Sequence, residues 1–596
     1  MILRKERWML SNYPADFRKI GQEFDIDPMI AKMIVNRGMK TTEEIRTYLS
    51  GGKESLNDPA SMKGMQEAVS LLADAIRTGR KIRIIGDYDI DGVMSSYILL
   101  TALTRLGADA DVRIPERIRD GYGLNEHLVS QAAVDGRDFL LTCDNGISAF
   151  SQIELAKELG MTVIVTDHHD IPFELEEADG KEKKHYKIPP ADAVIDPKQE
   201  DCAYPFPGLC GAAVAWKLMQ ELYRKAGRQD DEIFEWIEYV GIATVGDVMV
   251  LKGENRVLVR MGLEALHHTR NIGLLELIRQ NKLEPEKVDA YHIGFVIGPC
   301  LNASGRLDTA QRALNMLLET DRLQAAKLAG ELVSLNSSRK DMTQKGVDRA
   351  VELVETTDLA DDKVLVIYLP DLHESIAGIV AGKVRERFNK PVFVLTRARA
   401  EGTEERKEAE GTGSIMVKGS GRSIEAYHMS DELNKVDDLL LKYGGHPMAA
   451  GLSLKEENVD EFRRKLNENT KLTEEDLTPE ILIDSPMPLS YISPQLIHQL
   501  DLLKPFGNGN EKPVFAVKGV SADYVKLVGQ NKNVLQCRIR DQKGTTIGAV
   551  CFREAEEFND FLTQNRTFDI LYYPAIDSWN GSEKTKIIIT GFRAAK

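Results

Sequence analysis

Residues 161–170 read M-T-V-I-V-T-D-H-H-D. From Met161 to Thr166 the run is apolar and β-branched, the composition of a strand buried on both faces. It ends without transition in Asp167, His168, His169 and Asp170. One such cluster is unremarkable, so the test is whether neighbouring strands end the same way. KIRII at 81–85 runs into G-D-Y-D-I-D-G, which supplies Asp87, Asp89, Asp91 and Gly92. FLLTC at 139–143 runs into D-N-G, with Asp144 and Gly146. A further apolar stretch, EYVGIATVGDVMVL at 238–251, holds a lone Asp247.

Helical segments separate these strands: VMSSYILLTALTRLG at 93–107 and SAFSQIELAKELG at 148–160. ADAVI at 191–195 is one more strand. Near-continuous apolar strands alternating with amphipathic helices predict a parallel sheet covered on both faces. In such sheets ligands bind at the carboxyl ends of the strands. Carboxylates crowded there repel one another and raise each other's pKa, a penalty that divalent cations remove. Carboxylates with one or two imidazoles suit Mn²⁺ or Mg²⁺ better than a thiolate-seeking metal. Two such ions, about 4 Å apart, can activate a water and steady the departing oxygen of a phosphodiester. Gly92 and Gly146 allow the tight turns such a site needs. Taken singly, a D-x-D is usually a solvated turn, H-H a surface loop and Asp167 a helix cap. It is their recurrence at successive strand ends that points to a metal site.

The 596 residues are too many for one core, and the composition is that of an ordinary globular protein, 42% hydrophobic and 29% charged. No apolar run approaches the roughly 20 residues that span a bilayer, and the start, MILRKERWMLSNYPADF, has no continuous apolar core, so neither membrane nor secretory signal is expected. Six scattered cysteines without a C-x-x-C pair argue against a disulfide framework and fit a cytoplasmic protein. The net charge of -16 does not exclude a nucleic acid, which needs only a local basic groove.

Residues 308–355 read as mostly helical, without proline. A second alternating unit begins at Lys363 with KVLVIYL, IAGIVAGKVRERF and PVFVLT. The charged stretches 176–187 and 397–411 read as surface insertions. After Leu482, short strands with turn residues between them predict a small β-barrel.

D-Y-D-x-D-G, D-N-G, D-H-H and the later G-D-V, in that order, resemble the DHH phosphoesterase superfamily. IPERIRDGYGL (114–124), IGPCLNASGRL (297–307), LHESIAGIVAGKVRERF (372–388), VKGSGRSI (417–424), YGGHPMAAG (443–451) and LKPFGNGNEKPVF (503–515) narrow the resemblance to the RecJ single-strand-specific DNA exonucleases. The resemblance implies an α/β protein in five parts: an N-terminal helical segment at 1–70, a parallel-sheet DHH phosphoesterase domain at 71–307, and a long helical connector at 308–358. A smaller α/β DHH-associated domain at 359–475 and a C-terminal OB-fold β-barrel at 476–596 complete it.

For the site, the resemblance implies that Asp89, Asp91, Asp144, His168 and Asp247 hold two ions, Mn²⁺ or Mg²⁺, with Asp144 as the bridge. Asp87 would be a ligand or the partner of one, His169 would orient a ligand or touch the scissile phosphate, and Asp167 would brace the imidazoles. Catalysis would thus rest on Asp144, His168, His169 and Asp167. Asn302 and Arg306 would grip phosphates beside the metals, with Arg117 also on the nucleic acid. Ser420, Arg422, Gly445 and His446 would line the narrow end of a strand channel where the 5′ terminus sits. In the barrel, Arg538, Arg540 and Lys543 could track a backbone and Tyr524, Phe552 or Tyr573 could stack on bases, although core packing is the commoner role of each aromatic.

Cys300 and Leu372 depart from the family pattern, which commonly has arginine and tryptophan there, and Ile85 stands where many superfamily members carry a histidine that exonucleases of this type often lack. With every ligand candidate intact, these departures mark a divergent member. The expected function is a metal-dependent exodeoxyribonuclease of DNA repair and recombination, cutting single-stranded DNA 5′→3′ to 5′-mononucleotides, with a single-strand-binding protein or a helicase as implied partner. The rival readings are an oligonucleotide or cyclic-dinucleotide phosphodiesterase of the same superfamily, which usually lacks the barrel, and a non-catalytic strand-binding replication scaffold.

Overall fold

Five short strands, β1 (Lys81–Ile85), β2 (Asp109–Arg113), β3 (Phe139–Cys143), β4 (Thr162–Thr166) and β5 (Ala193–Ile195), form one parallel sheet in the order β2-β1-β3-β4-β5. The computed structural model describes residues 6–117, 119–178, 181–398, 415–529, 532–579 and 582–595. Strands β1, β3 and β4 are buried along nearly their whole length, including Arg83 of β1, which pairs with Asp111 and Asp135. Strand order reverses between β1 and β3. Chain leaving these two strands diverges to opposite sides of the sheet and opens a crevice at their carboxyl ends. Asp87–Asp91 and Asp144 occupy that crevice.

Helix α1 (Ile90–Arg105) follows β1, α2 (Phe150–Glu158) follows β3, and α3 (Gly211–Lys225) and α4 (Ile237–Gly246) follow the sheet. Every residue from Ile237 to Thr244 is buried, so α4 carries no polar face. This is why Asp247 sits in an apolar run: it closes a buried helix. Helix α5 (Gly298–Leu307) leads through a short helix at 311–318 into α6 (Arg322–Thr356), 35 residues long and free of proline.

A second sheet has strands β6 (Leu365–Tyr368), β7 (Val392–Arg397), β8 (Met416–Arg422), β9 (Leu440–His446) and β10 (Ala449–Lys455) in the order β9-β10-β8-β7-β6. Only β6 and β7 run parallel. Helix α7 (Ala377–Phe388) packs against this sheet and against α6 through Val380, Ala381 and Val384. The charged stretch after Pro172 is an antiparallel hairpin, 173–178 with 181–186. Most of the other charged stretch, 399–411, lies outside the described residues.

These elements make one compact unit, residues 57–249 and 258–479; residues 6–56, 250–257 and 480–595 make another. In the latter, β11 (Phe515–Val528), β12 (Val534–Arg540), β13 (Thr546–Cys551), β14 (Phe568–Trp579) and β15 (Ser582–Ala594) close into a five-stranded barrel, since β11 pairs with both β12 and β14. Its core includes Phe515, Leu535, Phe558, Phe568 and Tyr572. The N-terminal helices pack on the same core through Ile30, Met33, Ile34 and Tyr48. Tyr573 is 8% exposed and belongs to that core, whereas Tyr524 and Phe552 are 77% and 56% exposed. Of the three stacking candidates, the structure therefore leaves two accessible.

Glu238, buried in α4, accepts a hydrogen bond from Thr269 Oγ1 at 2.9 Å. Burial pushes its carboxyl up to about 7. Because the folded value lies above the unfolded one, the neutral acid is favoured in the fold, and stability falls as pH rises from about 4.5 through 7. The loss across that window is about 3 kcal/mol. Glu238→Gln is expected to remove it, so the denaturation midpoint of the variant gains on that of the parent between pH 5 and pH 8. A difference that stays flat over that range would refute the assignment.

Candidate metal centre and phosphate site

Asp89 caps α1: its Oδ1 accepts the Asp91 and Gly92 amides at 2.9 and 3.2 Å. Asp91 points the other way and accepts the Gly211 and Ala212 amides that begin α3, at 2.6 and 2.7 Å. Two helix N-termini thus direct their partial positive charge at two adjacent carboxylates. Close packing makes this possible. A Cβ on Gly92 would lie 2.4 Å from the Asp87 carbonyl oxygen, so only glycine lets the turn fold back on Asp87. Gly146, with φ +115°, closes the turn after Asp144, which itself has φ 61°. Asn302 Oδ1 accepts the Ile90 amide at 2.8 Å and so pins the Asp89–Asp91 turn from α5.

The strand ends converge. Three overlapping groups each have ligand atoms within 4.8 Å of one another: Asp144, His168 and His169; Asp91, His168 and Asp247; Asp87, Asp89 and Asp144. His168 Nε2 lies 3.0 Å from Asp144, 3.5 Å from Asp91 and 3.8 Å from Asp247. Asp167 stands apart from this set. Its Oδ1 accepts the His168 and His169 amides, at 2.8 and 3.2 Å, and lies 2.7 Å from His169 Nδ1, while its Oδ2 accepts the Ile147 amide at 2.9 Å. Asp167 is therefore spent on bracing the loop.

Burial and the charge of Asp89 push Asp91 up to about 7, and burial with Asp91 pushes Asp247 up to about 8. Burial and mutual repulsion hold Asp87 and Asp144 well above the usual carboxylate range. Burial and the adjacent His169 lower His168 to about 3, which leaves it neutral with a lone pair to offer. Burial alone would lower His169 too, but the hydrogen bond and charge of Asp167 outweigh it and raise the imidazole to about 9. A buried set of carboxylates that penalise one another, plus one neutral imidazole, has the donor chemistry of a divalent-cation site.

The chain matches the DHH family N-terminal domain over residues 81–244, the DHHA1 domain over 361–472 and the RecJ OB domain over 483–591. It is 34% identical over 592 residues to the single-stranded-DNA-specific exonuclease RecJ of Bacillus subtilis, spanning 99% of this chain and 71% of that one. It is 32% identical to the protein of the same description from Escherichia coli, spanning 82% of this chain and 83% of that one. The chain belongs to the RecJ family. Its fold is similar to that of Thermus thermophilus RecJ in complex with Mn²⁺, with a TM-score of 0.80 and 26% identity over 99% of this chain and 80% of that chain. The Mg²⁺ complex of that RecJ gives a TM-score of 0.75 at 25% identity over 99% of this chain and 79% of that chain.

Beside the carboxylates of this RecJ-family chain lies a group of guanidiniums. Arg306 donates to the Ser375 carbonyl at 2.9 Å, and burial with the charges of Arg117 and Arg339 lowers it to about 10. Burial and the charges of Arg117 and Arg385 lower Arg422, whose Nη1 lies 3.2 Å from Ser420 Oγ. Arg117 packs over the Tyr88 ring at 4.9 Å, between the two metal-site acids Asp87 and Asp89 in sequence. Among the described residues Arg117, Arg306, Arg339 and Arg422 form no ion pair with a carboxylate. Half-buried cations that repel one another and have no carboxylate partner are arranged for an anion. His446, beside Gly445, has Nδ1 3.8 Å from Asp170 Oδ2. It shares with Tyr122, Gln152 and His169 the lining of a cavity of about 370 Å³.

Three residues escaped the sequence reading. Arg339 lies in the polar stretch NSSRKD of α6, where nothing marks it; its guanidinium donates to Asn336 Oδ1 at 2.8 Å. Asn336 Nδ2 in turn lies 3.2 Å from Cys300 Sγ, so a guanidinium does stand near Cys300, delivered by another helix. Tyr122 donates to the Asp144 carbonyl at 2.9 Å and lies 3.2 Å from His169. Asp196 follows β5, and the strand-end rule would have found it; burial pushes it up to about 8. Ile85 is wholly buried in the core, and Leu372 packs in the α6–α7 core.

Proposed function

We propose that the chain is a 5′→3′ exonuclease that hydrolyses single-stranded DNA to 5′-mononucleotides. The observation that carries this reading is the convergence of Asp87, Asp89, Asp91, Asp144, His168 and Asp247 beside unpaired guanidiniums. A bound pair of Mn²⁺ or Mg²⁺ ions would supply water activation and charge neutralisation at the scissile phosphate. Asp144 would serve both ions: it shares one group with Asp87 and Asp89 and another with His168 and His169, and His168 links it to Asp91 and Asp247. His169, kept protonated by Asp167, offers positive charge and an N–H donor to the phosphate. Arg117 and Arg306 hold the backbone beside the acids, and Arg422, Ser420, Gly445 and His446 receive the 5′ end.

The barrel adds a second surface for the strand, with Tyr524 and Phe552 accessible. Substrate that must be single-stranded calls for a helicase or a single-strand-binding protein as working partner. Unpaired cysteines suit the cytoplasm, and no helix among the described residues is long and apolar enough to cross a membrane.

The test is a Mn²⁺-dependent digestion of a 20-nucleotide single strand, its duplex and a dinucleotide, with a chelator control. Mononucleotide release from the single strand, abolished by chelator and restored by Mn²⁺, is expected. Exclusive cleavage of the dinucleotide would transfer the chain to the oligonucleotide phosphodiesterases, and cleavage of the duplex at an equal rate would remove the single-strand assignment.

A further inference from the structure

Tyr291 and Phe295 are 62% and 66% exposed, yet their rings stack on each other, centroids 4.9 Å apart at 29°. Single exposed aromatics are ordinary, but this stacked pair, met among the described residues by the edge of His292 at 5.8 Å from Tyr291, presents a flat apolar surface to water. The backbone beneath it is unusual too. A short helix at 290–292 widens into a π-helical turn at 293–297, a deviation that recurs at functional sites. On that turn Ile293 and Ile297 face inward, leaving Tyr291 and Phe295 on the opposite, wet face.

The turn packs against sequence neighbours of the metal-site acids. A Cβ on Gly298 would lie 3.2 Å from Ile90 Cδ1, and one on Gly294 would lie 3.8 Å from Val245 Cγ1. Ile90 separates Asp89 from Asp91, and Val245 lies two residues before Asp247. The turn also runs directly into α5, which carries Asn302 and Arg306. The cavity lined by His446 includes His169 but neither Asp247 nor Ile90. The turn that carries the aromatic pair thus packs beside Ile90 and Val245, whereas the cavity with the 5′ groups borders His169.

We propose that Tyr291 and Phe295 form a stacking platform for bases of the substrate strand on the 3′ side of the cleaved bond. Stacking on an aromatic ring suits a nuclease that reads no sequence, because every base offers a flat face. It also favours single strands, whose bases are free to leave their neighbours. This rests on the single-strand reading above, so the test measures binding without cleavage. Full-length parent and the Tyr291→Ala/Phe295→Ala variant are titrated against fluorescein-labelled dT20 in chelator. Kd is expected to rise about tenfold in the variant, in line with the worth of ring–base stacking. The ring-preserving Tyr291→Phe/Phe295→Trp variant is expected within twofold of the parent. A double-alanine Kd within twofold of the parent's, or an equal loss in the ring-preserving variant, would overturn the platform. Failure of the parent to digest single strands in Mn²⁺ would count against the nuclease reading alone, since the Kd ratio does not depend on cleavage.

Discussion

Asp144→Asn is expected to lower kcat on single-stranded DNA by about 10⁴-fold while leaving the metal-free protein at least as stable as the parent. The two effects have one cause. Burial, with the charges of Asp91, Asp89, Asp87 and Asp247, holds the Asp144 carboxyl well above the ordinary range. Removing one negative charge relieves that crowding, and asparagine tolerates the left-handed backbone, φ 61°, better than any residue but glycine. The same substitution removes the side chain proposed to serve both ions. In the parent, Mn²⁺ should raise the thermal midpoint by mass action; in the variant most of that rise should vanish. Full activity in Asp144→Asn, or a metal-free midpoint well below the parent's, would show that Asp144 is a structural residue.

Arg306→Ala is expected to cut kcat/KM by about a hundredfold or more, because the proposed charged donor to phosphate is lost. The slope of log KM against log salt should fall by about 0.7, the signature of one phosphate contact on a single strand. Stability should change little. The variant gives up one hydrogen bond to the Ser375 carbonyl but also relieves repulsion with Arg117 and Arg339. Arg306→Lys restores the charge without the planar fork, so partial recovery is expected. An unchanged salt slope with a lowered thermal midpoint would instead assign Arg306 to packing.

What could be read from the sequence follows from what each signal reports. Buried parallel strands advertise themselves as apolar runs, so Asp87, Asp89, Asp91, Asp144 and the Asp167–His169 cluster were legible as strand ends. Asp247 was visible only as a lone acid in an apolar stretch. Because α4 is buried all round, its periodicity says nothing about helix or strand. Arg339 gives no local signal, since it reaches the site through folding of a 35-residue helix back on α5. The stacked pair Tyr291–Phe295 is hidden for a different reason: an aromatic in a sequence reads as core until its exposure is known. The barrel illustrates the same limit, with Tyr573 inside and Tyr524 outside a pattern that looks alike on paper. Which core the N-terminal helices join is a long-range matter that no local composition records.

Groups scattered from Asp87 to Asp247 are proposed to hold two cations together. Anomalous scattering at the manganese edge, from crystals of the full chain grown with Mn²⁺, addresses this directly. Two peaks about 4 Å apart are expected, both in contact with Asp144, one beside Asp87 and Asp89 and the other beside Asp91, His168 and Asp247. Manganese peaks that avoid these residues, or a single peak that does not touch Asp144, would contradict it.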